Sequence, residues 1–195
     1  NKKTGEKVNE KEYEKSFKAD KDIKNVSPVN TEFFNPQFPQ YHNNTNFDYL
    51  KIPGALEFIT EFGNTVLQMV RFAGDELGYN YKKLASESDK KFFAGISIDK
   101  TYGGVHISKI INAIFVNPLS FSPSNLEEAV GIALHATIHE INHTTASGEG
   151  AAFTTDLAIL YGKIYGTGKY GLYEGLFRSV YKKHFDTFKI LKNEY

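Results

Sequence analysis

Cysteine is missing from all 195 residues of the chain. That absence excludes a disulfide framework, a thiolate metal site and a cysteine nucleophile, so any bound metal has to be held by His, Asp, Glu or water. An excess of charge of one sign is missing as well, since 23 Lys and Arg face 23 Asp and Glu. Without a long-range field there is little to attract nucleic acid or an anionic membrane surface, and nucleic acid is set aside as a partner. No apolar run approaches the roughly 18 to 20 residues that a membrane-spanning helix requires. The chain has no GxSxG elbow, no internal repeat and no low-complexity tract. Gly166, Thr167, Gly168 and Lys169 fall short of a phosphate loop, because Lys163 stands where its first Gly belongs and Tyr170 where its Ser or Thr belongs.

What is present describes an ordinary soluble globular protein of one domain, or one domain plus a tail: 41% hydrophobic and 24% charged residues. Residues 1–24 alternate Lys with Glu and Asp and read as a charged tail or exposed helix, followed by a single domain over 25–195. Between Asn25 and Lys51 the aromatics Phe33, Phe34, Phe38 and Tyr41 suit an ordered wrap over a core. Leu56, Ile59, Phe62, Val66, Met69, Val70 and Phe72 have the spacing of an amphipathic helix ending at Gly78. Three β-rich runs, Phe93–Ile98, Gly104–Ile107 and Ala113–Asn117, predict a small sheet. A helix start follows, either at Ser122 with Pro123 in the first turn or at Ser124 in a capping box with Glu127, and that helix runs to about His143. After a turn at residues 144–148 a helix resumes near Glu149, and another carrying Leu172, Leu176, Val180 and Phe185 closes the chain. The chain begins at Asn1 rather than Met, which leaves room for a removed targeting segment and favours a secreted or otherwise extracytoplasmic setting.

The chemistry sits in residues 135–156, HATIHEINHTTASGEGAAFTTD, which contain HExxH at His139, Glu140 and His143. On a helix, residues four apart share a face, so both imidazoles can reach one zinc ion while Glu140 projects beside an open coordination position. With six His in the chain, a chance match has a probability of roughly one in a hundred, which favours the metal site over a polar helix with two incidental histidines. His135 lies one turn before His139. Three histidines spread over two turns cannot hold one ion, so His135 reads as packing or outer-shell. Glu149 and Asp156 are the carboxylates within reach. The short link after His143 permits an immediate chain reversal and favours Glu149 as third ligand, with Asp156 as outer-shell partner or alternative ligand; Glu149 can equally be read as a helix-start carboxylate. The sequon Asn142, His143, Thr144 falls inside the metal helix, where a glycan would block folding or metal entry.

This segment resembles the active-site helix of the zincin metallopeptidases. The run Gly148 to Phe153 is loosely similar to the helix that carries the third ligand in antirestriction and phage polyvalent zincin-like domains. The likeness covers about 40 residues and implies an α+β, zincin-like fold, with a small β-sheet packed on the active-site helix and further C-terminal helices. It also implies an edge strand that holds substrate in extended form, and Ala113–Asn117 stands where that strand would be expected. A metzincin is disfavoured, because Ala146 and Glu149 occupy the Gly and third-His positions and the single Met is upstream at position 69. In gluzincins the third ligand is Glu and in aspzincins Asp, so Glu149 makes the gluzincin-like subclass the favoured one.

The implied activity is peptide hydrolysis with Zn²⁺ as cofactor, Glu140 as general base and a peptide or protein as substrate. Tyr161, Tyr165, Tyr170, Tyr173 and His184 are candidates for the oxyanion donor. The rival reading is a catalytically silent binding or structural module of a larger secreted or virion protein. A metal-dependent hydrolase with a non-peptide substrate is a third.

Overall fold

The structure is a computed structural model that describes residues 33–34, 51–79, 92–97, 103–107, 112–146 and 148–195. The charged segment 1–24 and most of the aromatic wrap lie outside them. In chain order the elements are β1 (Phe33–Phe34), α1 (Ala55–Glu76), β2 (Phe92–Ser97), β3 (Gly104–Ile107), β4 (Asn112–Val116), α2 (Leu126–Asn142), α3 (Ala151–Gly166) and α4 (Tyr170–Glu194).

The expected α+β class is overturned. The helices hold 22, 17, 16 and 25 residues, and the strands only 2, 6, 4 and 5. The described chain is mainly helical. Its core has the same origin, since nearly all of its buried apolar side chains come from the helices, with Ile114, Phe115 and Val116 as the strand members among the described residues. The physical reason is length: a strand of four to six residues turns only two or three side chains to a core, whereas each long helix lays down an apolar stripe.

α1 forms because Phe58, Ile59, Phe62, Val66, Met69, Val70 and Ala73 recur on one face, and all of them are buried. Gly54 precedes it in the left-handed region and Gly78, at φ 73°, follows it. Beyond Gly78, the Tyr79 amide folds back onto the Ala73 carbonyl. Phe62 packs edgewise on Tyr181 of α4, and Phe58 lies tilted against Tyr181 and edgewise on Phe188, which binds the two long helices together. The buried face of α4 is Tyr173, Phe177, Val180, Tyr181, His184, Phe188 and Leu191. Leu172, on the same helix, is 55% exposed.

The cap of α2 also differs from expectation. Asn125, not Ser122 or Ser124, accepts the Glu128 amide at 2.9 Å, and Glu128 reaches back to the Ser124 amide at 2.6 Å. It differs from a capping box in that the Glu128 carboxylate takes the amide of the residue before the cap.

The described strands align in the order β1-β2-β4-β3. β4 runs parallel to β2 and antiparallel to β3, so Ala113–Val116 are paired on both sides. This corrects the edge-strand expectation for Ala113–Asn117: the run is central, and β3 is the outer strand on that side of the described sheet. β3 and β4 pack against α2, and the Asn117 amide bonds to the Gly103 carbonyl at 2.8 Å to extend their pairing. Among the described residues, no helix is long and apolar enough to cross a membrane.

Candidate metal centre

His135 and His139 of α2 and His143, its C-cap, are set one turn apart, and the helix delivers the last two to the point where it ends. His139 and His143 face each other with Nε2 atoms 3.2 Å apart. The chain leaves the helix in a turn at residues 143–145, held by Thr144 and Thr145, whose hydroxyls donate to the carbonyls of Ile141 and Asn142. The turn returns Glu149 to the pair, its Oε1 lying 3.7 Å from His139 Nε2. Ligand atoms of His139, His143 and Glu149 all lie within 4.8 Å of one another. Glu149 precedes α3 by two residues instead of opening it, and its side chain is 75% exposed.

These donors suit zinc. Bonds of about 2.0–2.2 Å in a tetrahedral arrangement place neighbouring donor atoms roughly 3.3 Å apart, close to the 3.2 and 3.7 Å observed. Burial, and next the neighbouring His143, hold the His139 imidazole below its ordinary pKa and so in the neutral form that a metal accepts. His143 Nδ1 lies 3.3 Å from the Ala146 carbonyl, and in the tautomer that donates there Nε2 is left with its lone pair toward His139 and Glu149.

Glu140 is not among these donors. Its side chain is 6% exposed and lies beneath β3. A Cβ on Gly104 would stand 2.5 Å from Glu140 Oε1 and 2.7 Å from its Cγ, so the strand can pass only because residue 104 has no side chain. Burial pushes the carboxyl up to about 8, with the charge of Glu149 adding to it.

Three contributors were not expected. Gly104 makes room for Glu140. The ring of Phe153 lies against both imidazoles, with centroids 4.8 Å from His139 and 4.4 Å from His143. Asn142, fully buried, donates from Nδ2 to the Phe153 carbonyl at 3.1 Å. Gly103-Gly104 inside a strand pattern was the available signal for a close approach; an aromatic or amide on a helix carries none.

Asp156 is not brought to the group. It lies in α3 where its charge acts on the Tyr79 phenol, and the alternative-ligand reading has no support in this placement. Of the oxyanion candidates, Tyr161 alone is tied to the histidine helix: its hydroxyl is 2.6 Å from His135 Nδ1 and the two rings stack. Tyr165 and Tyr170 stack on each other, Tyr173 packs on Phe72, and His184 meets Glu61 at 3.0 Å on another face.

There Glu57, Glu61 and His184 form a second group of possible donors. Lys183 already spans it, with Nζ 2.5 Å from Glu57 and 2.6 Å from Glu61.

No protein-family model matches the chain, and no curated protein and no solved structure matches it.

Proposed function

We propose that the protein is a zinc-dependent metallopeptidase of the HExxH type, related at the level of this motif to the zincin metallopeptidases. The observation that carries the reading is the convergence of His139 Nε2, His143 Nε2 and a Glu149 carboxylate oxygen, with the buried Glu140 carboxyl on the same helix. His139, His143 and Glu149 would hold the ion. Zinc bound there supplies Lewis acidity to a scissile carbonyl and to water. Glu140 is the proton carrier: its carboxylate takes a proton from the attacking water and its acid form returns that proton to the leaving amine. The carboxyl suits both directions, because burial and Glu149 place its pKa near 8 in the absence of a positive charge, and a neighbouring cation favours ionisation. Gly104 confines it to one place, which limits the reorganisation needed at the moment of transfer.

The test pairs elemental analysis with turnover on an unbiased peptide library, using the full chain and Glu140→Gln. Both proteins are expected to hold about one zinc, since the ligands are untouched. Only the original chain should cleave, with the substitution costing about 100- to 10,000-fold. Equal turnover in the two rejects the mechanism. Zinc without cleavage in the original chain would favour the silent module.

A further inference from the structure

We infer that Asn142 is a positioning residue for the metal ligands: it pins the first turn of α3 to the last turn of α2 so that Glu149 stands at the two imidazoles. The inference rests on the zinc site proposed above.

Asn142 lies between His139 and His143 in sequence and is 0% exposed. Its Nδ2 donates to the Phe153 carbonyl at 3.1 Å, while its Oδ1 makes no hydrogen bond among the described residues. A buried amide with one end unsatisfied is a poor way to fill space, and an apolar side chain of similar volume would do so at less cost. What the amide adds is a tether across the loop. Phe153 is the third residue of α3 and four residues beyond Glu149. On the near side of the loop, the Asn142 carbonyl accepts the Thr145 and Ala146 amides, both at 3.1 Å, and this turn brings the Ala146 carbonyl to His143 Nδ1. One residue therefore secures both ends of the segment that carries Glu149. Glu149 itself is three-quarters exposed and gains little from packing, so its place at His139 depends on where that segment is held.

The test uses the full chain and zinc alone as probe, in competition with a chromophoric chelator. Asn142→Leu is expected to weaken zinc binding by about 10- to 100-fold, the usual range for an outer-shell partner. The decisive arm is a double-mutant cycle with Glu149→Ala. If Asn142 acts through Glu149, Asn142→Leu has little further effect once that carboxylate is gone. A general disturbance of α2 would weaken zinc equally in both backgrounds and would overturn the inference, as would unchanged affinity in the single variant. Should the leucine fail to fold, Asn142→Ala removes the same donor without the branched side chain, and the same cycle is read. If the original chain binds zinc no better than His139→Ala, the metal-site reading falls and this inference with it; if only the cycle fails, the metal site stands without the tether.

Discussion

His139, His143 and Glu149 at the end of α2, and Glu57, Glu61 and His184 between α1 and α4, are built alike. Each has two possible ligands four residues apart on one helix and a third brought by another segment. They differ in what balances the charge. The second group contains its own cation, since the Lys183 ammonium bridges both carboxylates, and next to it His184 bonds to Glu61. The first has two imidazoles and one carboxylate, and among the described residues its ion pair is between His139 and Glu149 alone. Ligand spacing is thus not enough to mark a metal site. A group already neutralised by lysine is a salt-bridge cluster, whereas one whose lone pairs converge without an ammonium can use an external cation.

The largest effect expected from breaking this contrast is loss of zinc. His139→Ala or His143→Ala should abolish stoichiometric binding, and Glu61→Gln should leave it intact, measured by elemental analysis after gel filtration. Loss of zinc in Glu61→Gln would place the ion in the wrong group. Next comes the third ligand. Glu149→Ala should weaken zinc by more than the roughly 10- to 100-fold of an outer-shell change, while Asp156→Asn, beside Tyr79, should leave the affinity unchanged. Reversed severities in a chelator competition would exchange the two assignments.

Gly104→Ala separates the base from the ligands. Its Cβ would meet the Glu140 carboxyl at 2.5 Å and displace it, so turnover should fall about 100-fold, the scale of an ångström-sized misplacement, with zinc content unchanged. Gly131→Ala, on α2 with open space around the new methyl, is the matched control and should raise stability by about 0.5–1 kcal/mol. Equal activity in the two variants would remove Gly104 from the site.

The smallest effect is a pH dependence in the second group. Lys183, and then His184, holds the Glu61 carboxyl below the ordinary glutamate value of 4.5. A depressed acid pKa contributes stability above the unfolded-state value, and this contribution is lost as pH falls through the folded-state value. The difference in Tm between the original chain and Glu61→Gln should therefore be present at neutral pH and close on acidification below about 4.5. A gap that persists in acid would mean that packing, not charge, sets it.

The legible parts of the molecule were those governed by local periodicity. The period of 3.6 places His139 and His143 on one face, and the short link after His143 suggested the return of Glu149. The apolar face of α1 was readable for the same reason. The cap of α2 is Asn125, not the expected Ser122 or Ser124, because all three are good caps and choosing among them takes the actual path of the chain. Non-local facts were not readable. An apolar run such as Ala113–Val116 looks the same at the centre of a sheet as at its edge. Three such runs also gave the strands more weight in the fold than the helical core allows. Gly104 in a strand pattern signals a close approach but not what approaches, because that group is a carboxylate on another element.

The contact between Gly104 and Glu140 also sets an order on change. The missing methyl and the carboxyl compete for one volume, so a side chain at position 104 is admitted only when the Glu140 carboxyl is displaced or residue 140 is shortened. On the proposed mechanism, a lineage can fill position 104 once it has abandoned catalysis, but the reverse route passes through a collision. Among homologues of this chain, an alanine or larger residue at the position of Gly104 would then identify the members whose chemistry has been given up.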